Sequence, residues 1–245
     1  MKEKMQLIFD FDDTIVSTNI EFEKTNMQTA TIISSALFGS VVEVNRIVAK
    51  QREIDIQMVK KHGFVRPRFL MSWLETYQVF CNEQNREPDE KIKRIIEETV
   101  NDIYVRKYEL IPGSLETIES LKKEGYPIII LTAGENEIQE RKVKESGVRD
   151  IVDQVHVYSF KTPSTLKEVM NQYPNRQDYA MIGNSAKSDI MPALENNIYG
   201  FHFERKTWEA DDWEINKNHP KYVHLPIMPE LPTKLEGILL QESVK

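Results

Sequence analysis

The 245 residues carry 32 Lys and Arg against 39 Asp and Glu, a net charge of −7, with 40% hydrophobic and 29% charged residues. That balance describes a globular chain able to bury a substantial core, and by bulk electrostatics it excludes nucleic acid or an anionic membrane as a partner. One cysteine, Cys81, excludes an intramolecular disulfide and a cysteine metal site.

The opening MKEKMQLIF has no signal-peptide apolar core, and no apolar run approaches the ~20 residues of a membrane span, so the expected location is the cytoplasm. Within LIFDFDDTIV, Leu7, Ile8 and Phe9 read as a buried strand that ends in Asp10, Asp12 and Asp13. Like charges this close repel, and desolvating each is unfavourable by several kcal/mol unless a cation or hydrogen-bond donors compensate. Two readings fit. One is a solvated acidic turn with Asp13 capping a helix; the other is a strand delivering two carboxylates to a divalent metal.

From about residue 17 to about residue 110 the pattern is helical throughout. NMQTATIISSALF, VVEVNRIVAKQREIDIQMVKKHG and PRFLMSWLETYQVFCNEQ each carry apolar residues at helical spacing. In EKIKRIIEETVNDIYVRKY, Ile92, Ile95, Ile96, Val100 and Ile103 share one face. His62-Gly63 and Glu87-Pro88 are natural breaks, so the stretch reads as an insert of about four helices.

From Ile111 strands alternate with helices. A helix with Ser114 at its N-cap is followed by the strand YPIIILTAG, then NEIQERKVKESG as helix and DQVHVYSF as strand. TPSTLKEVMNQY (helix), DYAMIGNS (strand), SDIMPALENN (helix) and IYGFHF (strand) complete the run. Short apolar strands alternating with helices predict an α/β fold with a doubly wound, Rossmann-like parallel sheet. Ligands of such sheets sit beyond the carboxyl ends of the strands.

At those ends stand Asp10 and Asp12, then Thr132, Ala133 and Gly134, then Lys161, and finally Gly183, Asn184 and Ser185 with Asp189. Oxygen ligands suit Mg²⁺, and Lys and Thr suit phosphate oxygens. DFDDTI, ILTAG, FKTP and GNSAKSDI, in that order over residues ~5 to ~200 and each behind a strand, resemble the haloacid dehalogenase superfamily, phosphohydrolase branch. The resemblance implies a core of residues 1–16 and 112–245 with an all-helical cap of residues 17–111 inserted after the first strand.

It further implies that Asp10 is a nucleophile forming an aspartyl-phosphate. Asp12 is then the acid and base, also binding metal through its backbone carbonyl, and its presence favours phosphomonoesters over carbon–halogen bonds. Thr132, with the backbone at Ala133, holds the phosphoryl group, and Lys161 steadies its charge. The metal is Mg²⁺, held by Asp10, Asp12, Asp189 and Asn184. Asn184 stands where the family most often has Asp, which weakens the electrostatic pull on a cation. Ser188 reads as a water-orienting residue or a helix N-cap.

The expected partner is a small phosphorylated metabolite, for a monomer or homodimer. A phosphomutase-type transferase and a catalytically weak binding protein of the same fold are the alternatives. In the cap, KKHGFVRPRF places Arg66 and Arg68 either in a solvated basic loop or against an anionic substrate group. Phe64, Phe69 and Trp73 read as core or as a stacking surface, and Trp208, Trp213 and Tyr222 as cover for the core's edge.

Overall fold

The computed structural model describes residues 4–174, 176, 178–205 and 213–243. The chain divides into two compact units, Met1–Thr18 with Tyr108–Lys245, and Asn19–Lys107. The cuts fall at 18/19 and 107/108, against the 16/17 and 111/112 that the resemblance implies.

The chain opens with strand β1 (Gln6–Phe9), and the inserted unit holds α1 (Asn19–Phe38), α2 (Val44–His62), α3 (Arg66–Glu83) and α4 (Glu90–Asp102). In this unit α2 packs on α1 and α3, and α4 packs on the same two helices. Helix α4 stops at Asp102, short of the expected run to Tyr108; Ile96, Val100 and Ile103 are fully buried, while Ile92 and Ile95 are half-buried.

Phe69 and Trp73 are core residues of α3. Arg68 is buried too, in an ion pair with Asp55 of α2, so the basic segment is neither a solvated loop nor an open anion site at this residue. Burial outweighs Arg68 and raises the Asp55 carboxyl above its usual range. Arg66 instead lies over the Tyr104 ring, 5.3 Å from its centroid.

The other unit continues with α5 (Ser114–Lys123), β2 (Ile128–Ala133), α6 (Asn136–Glu145), β3 (Gln154–Tyr158), α7 (Pro163–Asn171), β4 (Tyr179–Gly183), α8 (Met191–Glu195), β5 (Tyr199–His202), β6 (Tyr222–His224) and α9 (Leu231–Ser243). The six strands form one sheet in the order β3-β2-β1-β4-β5-β6, and every pairing is parallel. The unbroken apolar stretches within β1, β2 and β4 have this cause, because a parallel sheet is covered on both faces. Ile8, Ile129, Leu131 and Met181 pack with Leu166 and Val169 of α7 and Ala193 of α8. Their neighbours of opposite parity, Leu7, Phe9, Ile128, Ile130 and Ile182, are equally buried on the other face.

The chain leaves β1 for β2 and β3 on one side and returns to β4 and β5 on the other. The reversal of strand order therefore falls beside β1, the position at which sheets of this kind bind ligands past their carboxyl ends.

Three local expectations are corrected. The N-cap of α5 is Gly113, at φ +79, while Ser114 donates its hydroxyl to the Ile15 carbonyl at 3.0 Å and so ties α5 to the first turn. Tyr222 belongs to β6, an edge strand too short and polar to read from the sequence. Trp213 is 51% exposed and does not cover the core's edge, and Trp208 lies outside the described residues. Among the described residues no helix is long and apolar enough to cross a membrane.

Candidate active site

Strand β1 ends at Phe9, and Asp10 is the first residue past the sheet, its amide still donating to Ile182 of β4 at 2.8 Å. The chain then turns sharply. Ile15 and Val16 donate to the Phe11 carbonyl, Asp13 takes φ +58, and its Oδ1 accepts from the Thr18 amide at 2.9 Å. Asp13 is thus a half-buried turn residue.

The turn aims Asp10 inward. Its Oδ2 accepts from Thr14 Oγ1 at 2.8 Å, and its Oδ1 pairs with Lys161 Nζ. Lys161 also reaches Asp189 Oδ1 at 2.5 Å. Asp189 is fully buried, and its Oδ2 accepts from the Ser185 amide at 2.9 Å. Asp10, Lys161 and Asp189, far apart in the chain, are therefore one buried cluster.

Two carboxylates share one ammonium there. Burial first, then repulsion from Asp189, push the Asp10 carboxyl up to about 7 against the pull of Lys161. Burial also works against the Lys161 ammonium, yet Asp10 and Asp189 outweigh it and raise its pKa.

Asp12 points elsewhere. Its Oδ1 pairs with Lys142 and accepts from Thr18 Oγ1 at 2.5 Å, and its Oδ2 accepts from Gln139 Nε2 at 2.8 Å. Burial opposes ionisation of Asp12, but Lys142, with Thr18 and Gln139, holds its carboxyl below the usual range. Thr132, the fully buried fifth residue of β2, meets the same Gln139 Nε2 at 2.5 Å. Ala133 ends the strand, half-buried.

At the end of β4, Asn184 is buried against Thr14: its amide N–H donates to Thr14 Oγ1 at 3.1 Å, and its Oδ1 lies 3.3 Å from the same oxygen. Its carbonyl accepts from His202 Nε2 at 3.1 Å, which leaves Nδ1 to accept from Tyr222 at 3.2 Å. Burial keeps His202 below the usual imidazole value, consistent with that neutral tautomer. Ser188 is not an N-cap. Ser185 is, accepting from the Ser188 amide at 2.9 Å, and a wide turn over Ala186–Ile190 then drops Asp189 under the strand end.

A model of the haloacid dehalogenase-like hydrolases matches residues 6–196. The chain belongs to that family of hydrolases. No curated protein matches it. Among solved structures, a haloacid dehalogenase-like hydrolase from Xanthomonas campestris is 21% identical with a TM-score of 0.78, over 98% of this chain and 99% of that one. A HAD phosphatase from Thermococcus onnurineus is 17% identical over 95% and 98%, with a TM-score of 0.59. A 2-haloacid dehalogenase from Pseudomonas syringae, 15% identical over 95% and 99%, has the same TM-score of 0.59. Two chemistries thus share the hydrolase fold, and fold alone does not choose between them.

The donor set of this hydrolase suits a hard divalent cation such as Mg²⁺. Asp10 and Asp189 both pair with Lys161, and Asp12 pairs with Lys142, so carboxylate oxygens are gathered at the strand ends. The Asp12 carbonyl accepts no hydrogen bond among the described residues. The carboxylate of Asp12, in contrast, is committed to Lys142, and no three His, Cys, Asp or Glu side chains converge as a metal set among the described residues. A cation here would rest on Asp10, Asp189, the Asp12 carbonyl and the Asn184 amide.

Gly183 makes room for this arrangement. A Cβ at that position would stand 2.3 Å from Asp189 Oδ2. Gly183→Ala is expected to lower stability by about 1–3 kcal/mol by overpacking and to displace Asp189. Thermal melts check this, and a variant that melts like the parent would contradict it.

Lys142, Gln139, Thr14 and Thr18 hold the site together, yet the sequence pattern assigns them no role. Their signal is modest: Gln139, Lys142 and Val143 share one face of the helix after Thr132, and two of the three are polar.

Proposed function

We propose that this chain is a Mg²⁺-dependent phosphohydrolase of small phosphomonoesters, in the class of sugar phosphates or nucleotides, working through an aspartyl-phosphate on Asp10. The observation that carries the reading is the second carboxylate, Asp12, held by three donors two residues from the buried Asp10. A halide departs as a stable anion and needs no proton, whereas an alkoxide does. A positioned acid beside the nucleophile therefore supports phosphoester over carbon–halogen cleavage.

In this reading Asp10 attacks phosphorus, and the ester oxygen leaves with a proton from Asp12. A water molecule then gives a proton to Asp12 as its oxygen attacks the same phosphorus, releasing inorganic phosphate and restoring Asp10. Lys161 and Thr132 balance the charge on the transferring group. A bound Mg²⁺ supplies shielding between the nucleophile and the phosphate dianion. Hydrolysis of a chromogenic aryl phosphate, assayed with Mg²⁺ and after its chelation, tests the proposal. Turnover only with Mg²⁺ supports it, and no turnover in either case contradicts it.

Asn184 favours a second reading, a catalytically weak binding protein, because a neutral amide attracts a cation less than a carboxylate does. Asn184→Asp adds a charge beside the cation and is expected to lower the half-saturating Mg²⁺ concentration by about tenfold. In the metal-free protein the same change sets a carboxylate against Thr14, whose single hydroxyl proton already goes to Asp10, so the melting temperature falls slightly. An unchanged Mg²⁺ titration would place Asn184 outside the cation's reach.

A further inference from the structure

Gln139 and Lys142 stand three residues apart on α6, 3% and 6% exposed. Such side chains rarely go so deep unless every polar group is matched. Here the matching dictates orientation. Lysine only donates, so its 3.2 Å contact with Gln139 must fall on the amide oxygen, which fixes Nε2 toward Asp12 Oδ2 at 2.8 Å and Thr132 Oγ1 at 2.5 Å. One proton of that NH₂ serves Asp12 and the other serves Thr132. Since Thr132 accepts, its own hydroxyl proton remains to be given to an anionic oxygen.

Lys142 is steadied in turn, its Nζ lying 4.6 Å from the Tyr108 ring centroid and 5.7 Å from that of Phe11. The exit of β2 is shaped around the amide as well: Gly134 takes φ +146, and a Cβ there would come within 3.1 Å of Gln139 Cγ.

We propose that Gln139 and Lys142 are positioning residues: through them α6 aims the Asp12 carboxyl at the leaving oxygen and the Thr132 hydroxyl at the phosphoryl group. This rests on the phosphohydrolase reading of the site.

The test compares kcat and KM for an aryl phosphate and an alkyl phosphate in Gln139→Met, Lys142→Met and Lys142→Arg, each checked by thermal melting. Lys142→Met should lower kcat for the alkyl ester by about tenfold or more with KM little changed, and for the aryl ester by much less, since only the alkoxide needs its proton delivered. Lys142→Arg should restore most of the loss. Gln139→Met frees Thr132 too, so kcat should fall on both esters and inorganic phosphate should inhibit more weakly. Should Lys142→Met fail to fold, Gln139→Met, which leaves no unpaired buried charge, decides. Folded variants with parental kcat on the alkyl ester, or with changes in KM alone, would overturn the inference while the parent's activity stands. A parent inactive on both esters would overturn the phosphohydrolase reading and this inference with it.

Discussion

Asp10→Asn reduces turnover to background and leaves the melting temperature of the metal-free protein unchanged or higher. The two outcomes have one electrostatic origin. Asp10 and Asp189 are buried together and both pair with Lys161, and their repulsion adds to burial in raising the Asp10 carboxyl to about 7. Removing the Asp10 charge leaves Asp189 still paired with Lys161, so the fold loses a repulsion rather than a support. Turnover then loses its proposed nucleophile, since an amide cannot form the acyl-phosphate whose hydrolysis restores the carboxylate. Steady-state assays and melts of the same preparation check both. A variant that retains near-parental activity would remove Asp10 from the nucleophile's role, and a large drop in melting temperature would mean that its charge supports the fold.

Asp12→Asn is expected to slow turnover by ~10²–10⁴-fold, the usual contribution of a positioned proton donor. The loss should be smaller for aryl esters, whose leaving group is already a stable anion. Asn also leaves Lys142 buried without its counter-charge, so stability should fall, in contrast to Asp10→Asn. Rates for an aryl and an alkyl phosphate, read beside the melts, test the assignment. Equal losses on the two esters would argue against an acid role.

The sheet was legible because parallel strands buried on both faces are written as unbroken apolar runs, and the residues just past each run stand at the carboxyl edge. That position singles out Asp10, Thr132, Lys161 and Asp189 in the sequence, and the structure joins Asp10, Lys161 and Asp189 in direct contact. Strand β6 was not legible, since three half-polar residues at a sheet edge carry no periodic signal. Nor was the direction of the Asp12 carboxylate: spacing puts Asp12 beside Asp10, but a single turn with Asp13 at positive φ sends the two side chains to different partners. Gln139 and Lys142 lay hidden in NEIQERKVKESG, where helical polar residues normally mean solvent. Their burial depends on Thr132 and Asp12, and no periodicity within α6 points to either. Arg68 was open between two readings for the same reason, its partner Asp55 lying on another helix.

A phosphoryl group carried by Asp10 is sought by acid-quenching the protein during turnover of a phosphomonoester with Mg²⁺ and weighing its peptides. The peptide containing Asp10 should gain the mass of one phosphoryl group, and this gain should be absent in Asp10→Asn. Turnover with no phosphoryl group on that peptide, or with the group on another residue, would contradict it.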